Sequence, residues 1–273
     1  MIRFRKGYIL GTLFFAAVLV FYAIYQKEDQ QSQVVFINVG QGDGIFVGLP
    51  GDVQILMDSG PGHGFAAKIS NYMPFYDKDI ELIILTHPHA DHISGFIQVL
   101  KNYNVKNVIL SGANYKSRIY QQFLDLISQE GGNIYLAKTG DTIKYQNISI
   151  LKILAPLEIE LGKSFKHIHE AMVVSQLNLG QKKFLLAGDM EEPLEQKLIA
   201  SNAIQDIDVL KVGHHGSKTS TSEALLKVAK PEEAVIQVGH NSYGHPTPLV
   251  LNRLASFGVK VFRNDQLGDV VYK

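Results

Sequence analysis

The sequence predicts a globular α+β fold in which two sheets pack face to face with helices outside. Apolar runs of strand length alternate with segments of helical spacing from Val34 onward, without the strict strand–helix–strand alternation of a parallel α/β sheet. Apolar residues make up 46% of the chain and charged residues 19%, a balance typical of a folded protein. At 273 residues the chain is long enough to bury one large core or two modest ones.

Charge and cysteine content narrow the classes of function. Lysine plus arginine equals aspartate plus glutamate at 26 each, so the formal net charge is zero and no global basic field is available to hold nucleic acid. Any contact with nucleic acid would depend on local groups. Cysteine is absent, which excludes disulfides and thiolate ligands to a metal.

The first thirty residues predict a distinct segment, so we divide the chain into residues 1–30 and a domain over 31–273. An uncharged apolar run over 7–25 follows three basic residues, and a helix of that length spans about 28 Å, close to the hydrocarbon thickness of a bilayer. The basic flank predicts a single-pass anchor in the cell membrane, with a cytoplasmic N-terminus and an extracytoplasmic domain. A cleaved signal peptide is the alternative, but no small-x-small site precedes Gln26.

Each predicted element is bounded by turn residues or by a change of periodicity. Glycines separate the first two strands, Gly131-Gly132 end a helix, and Gly180-Gln181 form the turn of a hairpin. Apolar runs predict strands at 34–39, 45–47, 53–57, 80–85, 108–110, 134–137, 143–145, 148–154, 172–179, 183–187, 209–212, 234–238, 259–262 and 270–272. Helical spacing predicts helices at 65–73, 93–100, 117–128, 191–200, 222–228 and 249–257.

The densest group of potential metal ligands follows the predicted strand at 80–85. Three imidazoles and a carboxylate occur in the segment Thr86-His87-Pro88-His89-Ala90-Asp91-His92. Two histidines spaced two apart on an extended backbone point to the same side, and a turn at Asp91 brings its carboxylate and His92 toward the same point. Such ligand pairs fit a two-metal site, and imidazole with carboxylate suits Zn, Mn or Fe. The alternative is a histidine-rich surface loop, which four potential ligands at this spacing disfavour.

Further potential ligands follow other predicted strands. They are Asp58, Asp189 and the pair His214-His215. Because loops at strand ends converge on one rim of a sheet or sandwich, we expect these residues to meet the histidine motif there. Taken alone, Asp58 is typical of a turn and Asp189 of a helix N-cap. Their recurrence after strands is what indicates a site.

In this order, the motifs resemble the metallo-β-lactamase superfamily. The sequence is more closely similar to the extracytoplasmic domain of ComEC-type competence proteins, over essentially Val34 to Lys273. The closer resemblance lies in Asn38-Val39-Gly40-Gln41-Gly42-Asp43, Leu185-Leu186-Ala187-Gly188-Asp189-Met190-Glu191, His214-His215-Gly216-Ser217-Lys218 and Tyr243-Gly244-His245-Pro246. The resemblance implies a four-layer αββα sandwich with its site along one edge, preceded here by the predicted transmembrane helix.

The resemblance also implies two divalent metal ions, Zn or Mn, and a role for each site residue. The implied ligands of the first ion are His87, His89 and a bridging Asp189, and those of the second are Asp91, His92, Asp189 and His215. The implied catalytic group consists of Asp58, which would orient the His87–His92 loop, and of His214 and His245, which would face the substrate. Which member of the His214-His215 pair is the ligand stays open.

One departure from the superfamily pattern concerns the first ion. Many members have a further histidine just before the hairpin that leads to Gly188-Asp189, and Ala171 holds that place here. His167 or His169 would complete the ligand set from a neighbouring position. The alternative is that both lie in a solvated loop and that an open coordination position remains, as a hydrolase needs.

The resemblance implies hydrolysis of a phosphodiester, with degradation of a DNA strand during uptake as the activity of the branch. The sequence predicts one anchor and no multi-spanning channel, so the expected partners are the membrane, DNA or another phosphodiester polymer, and a separate DNA-uptake channel protein. Lys211 and Lys218 are expected either to contact phosphate or to be solvated. The alternatives are a cell-wall polymer phosphodiesterase, a lactonase-type hydrolase acting on a carbon centre, and a non-catalytic metal-containing binding module.

Overall fold

A computed structural model describes residues 3–28, 32–146 and 148–273, and within the N-terminal helix it describes the side chains of residues 8–22. This helix, α1, spans Arg3–Glu28, and its described side chains are exposed. Crossing a bilayer takes about 20 apolar residues in one helix. Within the described ranges no helix combines the length and the hydropathy that a membrane crossing requires. The transmembrane helix predicted at 7–25 is therefore not supported.

The first half of the chain contributes six strands of one sheet, a separate pair of short strands and the helices that cover them. Its strands are β1 (Gln33–Phe36), β2 (Gly44–Leu49), β3 (Val53–Ser59), β4 (Asp79–Ile80), β5 (Leu82–Ile84), β6 (Asn104–Val105), β7 (Asn107–Leu110) and β8 (Asn133–Leu136). Its helices after α1 are α2 (Gly64–Ile69), α3 (Ala90–Ile93), α4 (Phe96–Asn102) and α5 (Arg118–Glu130).

The second half repeats this organisation. Its strands are β9 (Thr142–Tyr145), β10 (Ile148–Ala155), β11 (Val174–Leu179), β12 (Lys182–Leu186), β13 (Val209–Lys211), β14 (Glu233–Ile236), β15 (Lys260–Arg263) and β16 (Val270–Tyr272). Its α-helices are α6 (Glu192–Ala200), α7 (Glu223–Ala229), α8 (Pro248–Ser256) and α9 (Asn264–Leu267), and its 3₁₀ turns span Ile168–Ala171 and Gly213–Gly216.

The strands form two seven-stranded sheets and a short pair, β4–β6. The first sheet has the order β16-β1-β2-β3-β5-β7-β8, and the second has the order β15-β14-β13-β12-β11-β10-β9. Strands β3, β5, β7 and β8 run parallel, as do β12, β13, β14 and β15. The last strand, β16, returns to pair antiparallel with β1, with Val35 opposite Val271. The carboxyl ends of the parallel strands in each sheet therefore lie at the same edge of that sheet.

Successive residues of the central strands pack into different cores. Along β1, Val34 and Phe36 pack between the two sheets, whereas Val35 packs beneath the helices of the first half. Along β12, Phe184 lies between the sheets and Leu185 beneath the helices of the second half. Because both faces of these strands are buried, their sequences are continuous apolar runs rather than alternating ones. The result is a helix–sheet–sheet–helix sandwich, and the predicted four-layer αββα fold is confirmed.

The differences from the predicted elements are local. The single helix predicted at 93–100 is two helices, α3 and α4, which meet at Gly95. A Cβ atom at Gly95 would lie 2.2 Å from the backbone oxygen of Ser59, so the chain passes close to β3 at this point. Strands β4 and β6 and helix α9 were not predicted, because elements of two to four residues have no measurable periodicity.

Candidate metal centre

The parallel strands of both sheets end at one edge of the sandwich, and the predicted site residues follow them there. Asp58 is the second-last residue of β3, and the segment His87–His92 follows β5. In the second sheet, Asp189 follows β12 and the His214-His215 pair follows β13. Strand direction thus places residues from four distant parts of the chain at the same edge.

Four side chains form a first group of potential ligands: His87, His89, His169 and Asp189, whose ligand atoms all lie within 4.8 Å of one another. Nδ1 of His89 lies 3.0 Å from Nε2 of His87 and 3.3 Å from Nε2 of His169. Oδ2 of Asp189 lies 3.8 Å from Nε2 of His87 and 3.9 Å from Nε2 of His169. Ligands that share a tetrahedral Zn ion are roughly 3.3 Å apart, so these separations fit one cation.

A second group consists of Asp91, His92, Asp189 and His215. Oδ1 of Asp189 lies 3.3 Å from Nε2 of His92 and 3.4 Å from Nε2 of His215. Oδ2 of Asp91 lies 3.3 Å from the same nitrogen of His215. Asp189 belongs to both groups, with Oδ2 facing the first and Oδ1 facing the second.

The polar atoms of the second group fit a cation. Nε2 of His92, Nε2 of His215 and Oδ1 of Asp189 are buried, and none of them has a hydrogen-bond partner among the described residues. Leaving a buried polar atom unpaired costs about 1–3 kcal/mol, so three converging atoms of this kind indicate a bound ion. Imidazole nitrogen and carboxylate oxygen are ligands that suit both Zn and Mn. Together with the first group, the residues present therefore fit two divalent ions.

Asp58 holds His92 from the side away from the ligand atoms. Oδ2 of Asp58 lies 2.7 Å from Nδ1 of His92, and the carboxylate accepts hydrogen bonds from N and Oγ1 of Thr86 at 2.9 and 2.6 Å. A carboxylate at Nδ1 fixes the hydrogen on that nitrogen and leaves Nε2 free for a metal. Because Asp58 is buried, it positions the histidine loop and does not contact substrate.

A buried ion pair lies behind His215. Nδ1 of His215 donates to the backbone oxygen of Gln237 at 2.8 Å and lies 3.3 Å from Oδ1 of Asp43. Nζ of Lys211 lies 2.6 Å from Oδ2 of Asp43 and donates to the backbone oxygen of Val212 at 2.9 Å. Lys211 is fully buried, so the expectation that it contacts phosphate or is solvated is wrong. Its charge instead compensates the Asp43 carboxylate beneath the second ligand group.

Burial and the carboxylates determine the charges of the site. Burial lowers the pKa of His87 well below its usual value, and burial together with neighbouring imidazoles lowers the pKa of His89 to about 4. Burial also opposes a charge on His215, but Asp189 and Asp43 outweigh it and raise the pKa of His215 to about 10. The first group thus offers neutral imidazoles, whereas the carboxylates around the second group favour positive charge, which a cation supplies.

The backbone is strained where it delivers the histidine pair. His214 and His215 have φ values of 45° and 53°, in the left-handed region that costs a non-glycine residue about 1 kcal/mol or more. This conformation directs His215 inward and leaves His214 at the open side. Close approach also requires glycine at Gly42, because a Cβ atom there would lie 2.2 Å from the backbone oxygen of Asp91.

His214 and His245 lie at the open side of the two ligand groups, which we call the mouth of the site. Their rings are 5.7 Å apart. Nδ1 of His214 lies 3.2 Å from Oε1 of Glu191, and Nε2 lies 3.7 Å from Oδ2 of Asp189. His245 is held by Asn241, whose Oδ1 accepts from the backbone N of His245 at 3.0 Å and whose Nδ2 donates to its backbone O at 2.8 Å. Both imidazoles can therefore reach a molecule bound over the ligand groups.

The structure brings the six predicted metal ligands together and adds His169 to them. His169 lies in the 3₁₀ turn Ile168–Ala171 and belongs to the first group, whereas His167 is exposed. Ala171, the position where the superfamily pattern leads to a histidine, is buried in a small apolar cluster. A histidine two residues earlier therefore supplies the side chain that the pattern lacks.

Three further residues of the site were not assigned from the sequence. Asp43 and Glu191 occur in segments that carry the family resemblance, but each was one polar residue among several there. The glycines on both sides of Asp43 were the available signal, because they permit close backbone approach. Lys211 gave no signal, since a lysine in a short strand is ordinarily solvated.

The four-layer fold and the two His/Asp ligand groups are typical of a class of metal-dependent hydrolases. A model of the metallo-beta-lactamase superfamily matches residues 37–240 of the chain. The match covers most of the chain, and the protein belongs to the metallo-beta-lactamase superfamily.

Curated relatives confirm the closer resemblance to competence proteins. ComE operon protein 3 of Bacillus subtilis is 30% identical over 270 residues, which are 92% of this chain and 34% of that protein. Recombination protein 2 of Haemophilus influenzae is 32% identical over 228 residues, 81% of this chain and 26% of that protein. Competence protein ComA of Neisseria gonorrhoeae is 38% identical over 91 residues, 33% of this chain and 13% of that protein. The chain thus spans about a third or less of the length of these relatives.

Solved structures show the same fold at low sequence identity. The metallo-beta-lactamase fold protein YhfI of Bacillus subtilis superposes with a TM-score of 0.57 at 14% identity, covering 88% of this chain and 99% of that chain. At this identity the likeness establishes the fold alone.

We predict that His169 is required for the first metal ion. His169→Ala is expected to reduce the metal content of Zn- or Mn-reconstituted protein from two ions to one, or to weaken one site at least tenfold, because it removes one of four ligands. His167→Ala, two residues away and exposed, is the matched control and is expected to bind two ions. Elemental analysis measures the number of bound ions, and competition with a chromophoric chelator measures their affinity. Two tight ions in His169→Ala would contradict the assignment.

We also predict that the Asp43–Lys211 pair positions His215. Lys211→Met leaves the Asp43 carboxylate buried and unpaired, so it should destabilise the metal-free protein by about 3–5 kcal/mol in urea unfolding and weaken the second ion about 10- to 100-fold. The double variant Asp43→Asn with Lys211→Met removes both charges and is expected to recover stability but not affinity. Lys218→Met, at an exposed lysine, is the control. Recovery of both stability and metal affinity in the double variant would show that the Asp43–Lys211 pair has a purely structural role.

Proposed function

We propose that the protein is a dinuclear-metal phosphodiesterase and that its substrate is a DNA strand. The observation that carries the proposal is the shared carboxylate of Asp189, whose two oxygens face two adjacent ligand groups. Two divalent ions held side by side in this way stabilise the attacking and leaving oxygens of a phosphoryl displacement. The site opens to solvent through His214 and His245, as a polymer substrate requires.

The comparisons support DNA over other phosphodiesters. The names of two relatives refer to recombination and to competence, and these relatives share 32% and 38% identity with this chain over the aligned residues. Because the chain spans only part of each relative, their names support the proposal without extending their whole activity to this protein. The donor set of histidine and carboxylate leaves Zn and Mn as the proposed metals.

The residues of the chain have separate tasks in the proposed reaction. Bound divalent ions would supply a nucleophile at neutral pH and polarise the phosphoryl group. Asp58 contacts Nδ1 of His92, and Asp43 contacts Nδ1 of His215. Each contact keeps the Nε2 atom of that histidine directed at the second ligand group. At the mouth, the Glu191 carboxylate accepts from Nδ1 of His214, so Nε2 of His214 faces the ligand groups. Only the imidazolium form of His214 carries a proton on Nε2 that it can donate to a leaving oxygen, and the Glu191 carboxylate stabilises the charge of that form.

His245 is the second donor at the mouth. Burial together with the neighbouring His214 imidazole lowers the pKa of His245, so its ring is neutral at neutral pH. Asn241 fixes the backbone of His245 on both sides, which keeps this residue beside His214 at the mouth. A neutral, fixed imidazole suits hydrogen bonding to a phosphate oxygen rather than ion pairing with it.

The decisive variant is Asp189→Asn. With the whole 273-residue chain reconstituted with Zn or Mn, we expect cleavage of single-stranded DNA and of a generic phosphodiester. We expect a loss of at least about 100-fold in Asp189→Asn, because the carboxylate shared by both ligand groups loses its charge. Asp206→Asn, at an exposed surface aspartate, is the control. Activity that persists in Asp189→Asn would overturn the proposal.

The same assay separates the other readings of the site. Cleavage of the generic ester without cleavage of DNA would favour a cell-wall polymer as substrate. Metal-loaded protein that cleaves neither would exclude a phosphodiesterase and favour hydrolysis at a carbon centre, as in lactonases, or a binding module without catalysis. Assays with a lactone and with a β-lactam then distinguish these two.

We further propose that α1 associates with a membrane and that the domain acts beside a separate DNA-uptake channel. Support comes from the exposed apolar side chains of α1, among them Tyr8, Phe14 and Phe21 at 71–74% exposure. Such a surface is favourably covered by lipid. The full chain is expected to float with phosphatidylglycerol–phosphatidylcholine vesicles, and Phe14→Asp with Val18→Asp should reduce flotation several-fold. Phe75→Asp, at an exposed phenylalanine of the domain, is the control, and equal flotation of all three proteins would contradict the proposal.

A further inference from the structure

A continuous row of rings crosses the mouth of the metal centre. Each ring centroid lies within 6 Å of the next. In order, the pairs are Tyr115–His89 at 5.5 Å, His89–His169 at 5.0 Å, His169–His214 at 4.7 Å, His214–His245 at 5.7 Å and His245–Tyr243 at 5.8 Å. The middle of the row belongs to the ligand groups and the mouth, whereas the two tyrosines at its ends take no part in metal binding.

The two tyrosine rings at the ends of the row differ in their exposure and in their angle to the neighbouring histidine. Tyr243 is 74% exposed, and its ring is tilted by 33° against His245, so the rest of its surface faces solvent. Tyr115 is half-buried against the small apolar cluster of Ala113, Ile168 and Ala171 and meets His89 edge to face at 62°. Each end of the row therefore offers an aromatic surface directly beside the site.

The loop that carries Tyr243 is held rigidly. Oδ1 of Asn241 accepts from the backbone N of Tyr243 at 3.1 Å and of His245 at 3.0 Å. Nδ2 of the same amide donates to the backbone O of Gly239 and of His245 at 2.9 and 2.8 Å. With all four bonds made by one side chain, the backbone of the loop is pre-ordered, and a ligand that stacks on Tyr243 does not have to order the loop.

The charges near the mouth favour stacking over ion pairing as the source of affinity. The chain has no net charge, and Lys211 beside the histidine pair is buried against Asp43. Glu191 places a carboxylate at the mouth, next to His214. Lys116 and Lys218, which are close in sequence to Tyr115 and to the histidine pair, are exposed, and two exposed lysines are not enough to hold a polyanion by charge alone.

We infer that the ring row is a binding track for unpaired nucleotides, along which a strand of several nucleotides stacks one base on Tyr243 and another on Tyr115 while a phosphodiester of the intervening strand lies over the metal centre. The inference rests on the proposed phosphodiesterase function and names its preferred substrate class, single-stranded DNA. Base–tyrosine stacking requires a free base face, which duplex DNA does not offer because its bases are stacked on one another. Stacking is also tolerant of sequence, so the track should show little base preference.

The test compares Tyr243→Ala with Tyr243→Phe in the full-length, metal-loaded protein. Binding of a fluorescently labelled single-stranded oligonucleotide, measured by anisotropy, is expected to weaken about 5- to 150-fold in Tyr243→Ala and to stay unchanged in Tyr243→Phe, because the phenyl ring keeps the stacking surface. KM for oligonucleotide cleavage should rise by the same factor at constant kcat. A duplex of the same sequence should bind at least tenfold more weakly than the single strand. Phe75→Ala removes another exposed ring, away from the row, and should behave as wild type.

The readouts distinguish failure of the track from failure of the proposed function. Turnover of a small aliphatic phosphodiester, which has no base to stack, should be equal in wild type and Tyr243→Ala. If wild type lacks this turnover, the phosphodiesterase proposal fails whatever the binding result. If turnover is present but Tyr243→Ala binds the oligonucleotide as wild type does, or if duplex and single strand bind equally, the track is overturned. If Tyr243→Ala lost kcat equally on the oligonucleotide and on the aliphatic phosphodiester, Tyr243 would have a structural role, and the track would also be overturned.

Discussion

The buried carboxylate of Asp189 is the constraint on which the rest of the site depends. It is 2% exposed, and each of its oxygens faces a different group of ligands. An anion withdrawn from water is costly unless positive charge surrounds it. The imidazoles, the buried ion pair and the strained turn at His214-His215 all serve to place or to compensate charge around this one group. The two ligand groups would hold cations that compensate the charge of this carboxylate.

Neither half of the chain can complete the site by itself. The first half supplies Asp43, and this carboxylate lies under His215, which comes from the second half. Asp189 of the second half in turn faces His87 and His92 of the first. The ring contact of Phe36 with Phe184, 6.4 Å between centroids, belongs to the core that holds the two sheets at the separation these contacts need. Packing of the sheets and assembly of the metal centre are therefore one event, and metal binding should add to the stability of the sandwich.

The parts of this arrangement that the sequence predicted are those with a local signature. Parallel strands buried on both faces leave continuous apolar runs, and ligands at strand ends, such as His87 and Asp189, can be recognised by position. Asp43 and Lys211 have no such signature, because their roles arise from contacts between distant segments, and for the same reason the sequence left His167 and His169 as alternatives. For the apolar segment at 7–25, a local signature led to a prediction that is not supported. The apolar run and its basic flank predicted a membrane crossing, which the described helix does not support.

Substrate selectivity depends on the mouth of the site rather than on the metal centre. The ligand groups offer only nitrogen and oxygen atoms to a cation, and a metal centre of this kind would activate many electrophiles alike. Selectivity requires contacts that differ between substrates, and Tyr115, His214, Tyr243 and His245 are the residues placed to make them. A chain without net charge has no global field that attracts the phosphates of a nucleic acid. For a DNA substrate, the faces of the bases are therefore an important source of affinity, and the row of rings across the mouth can provide it.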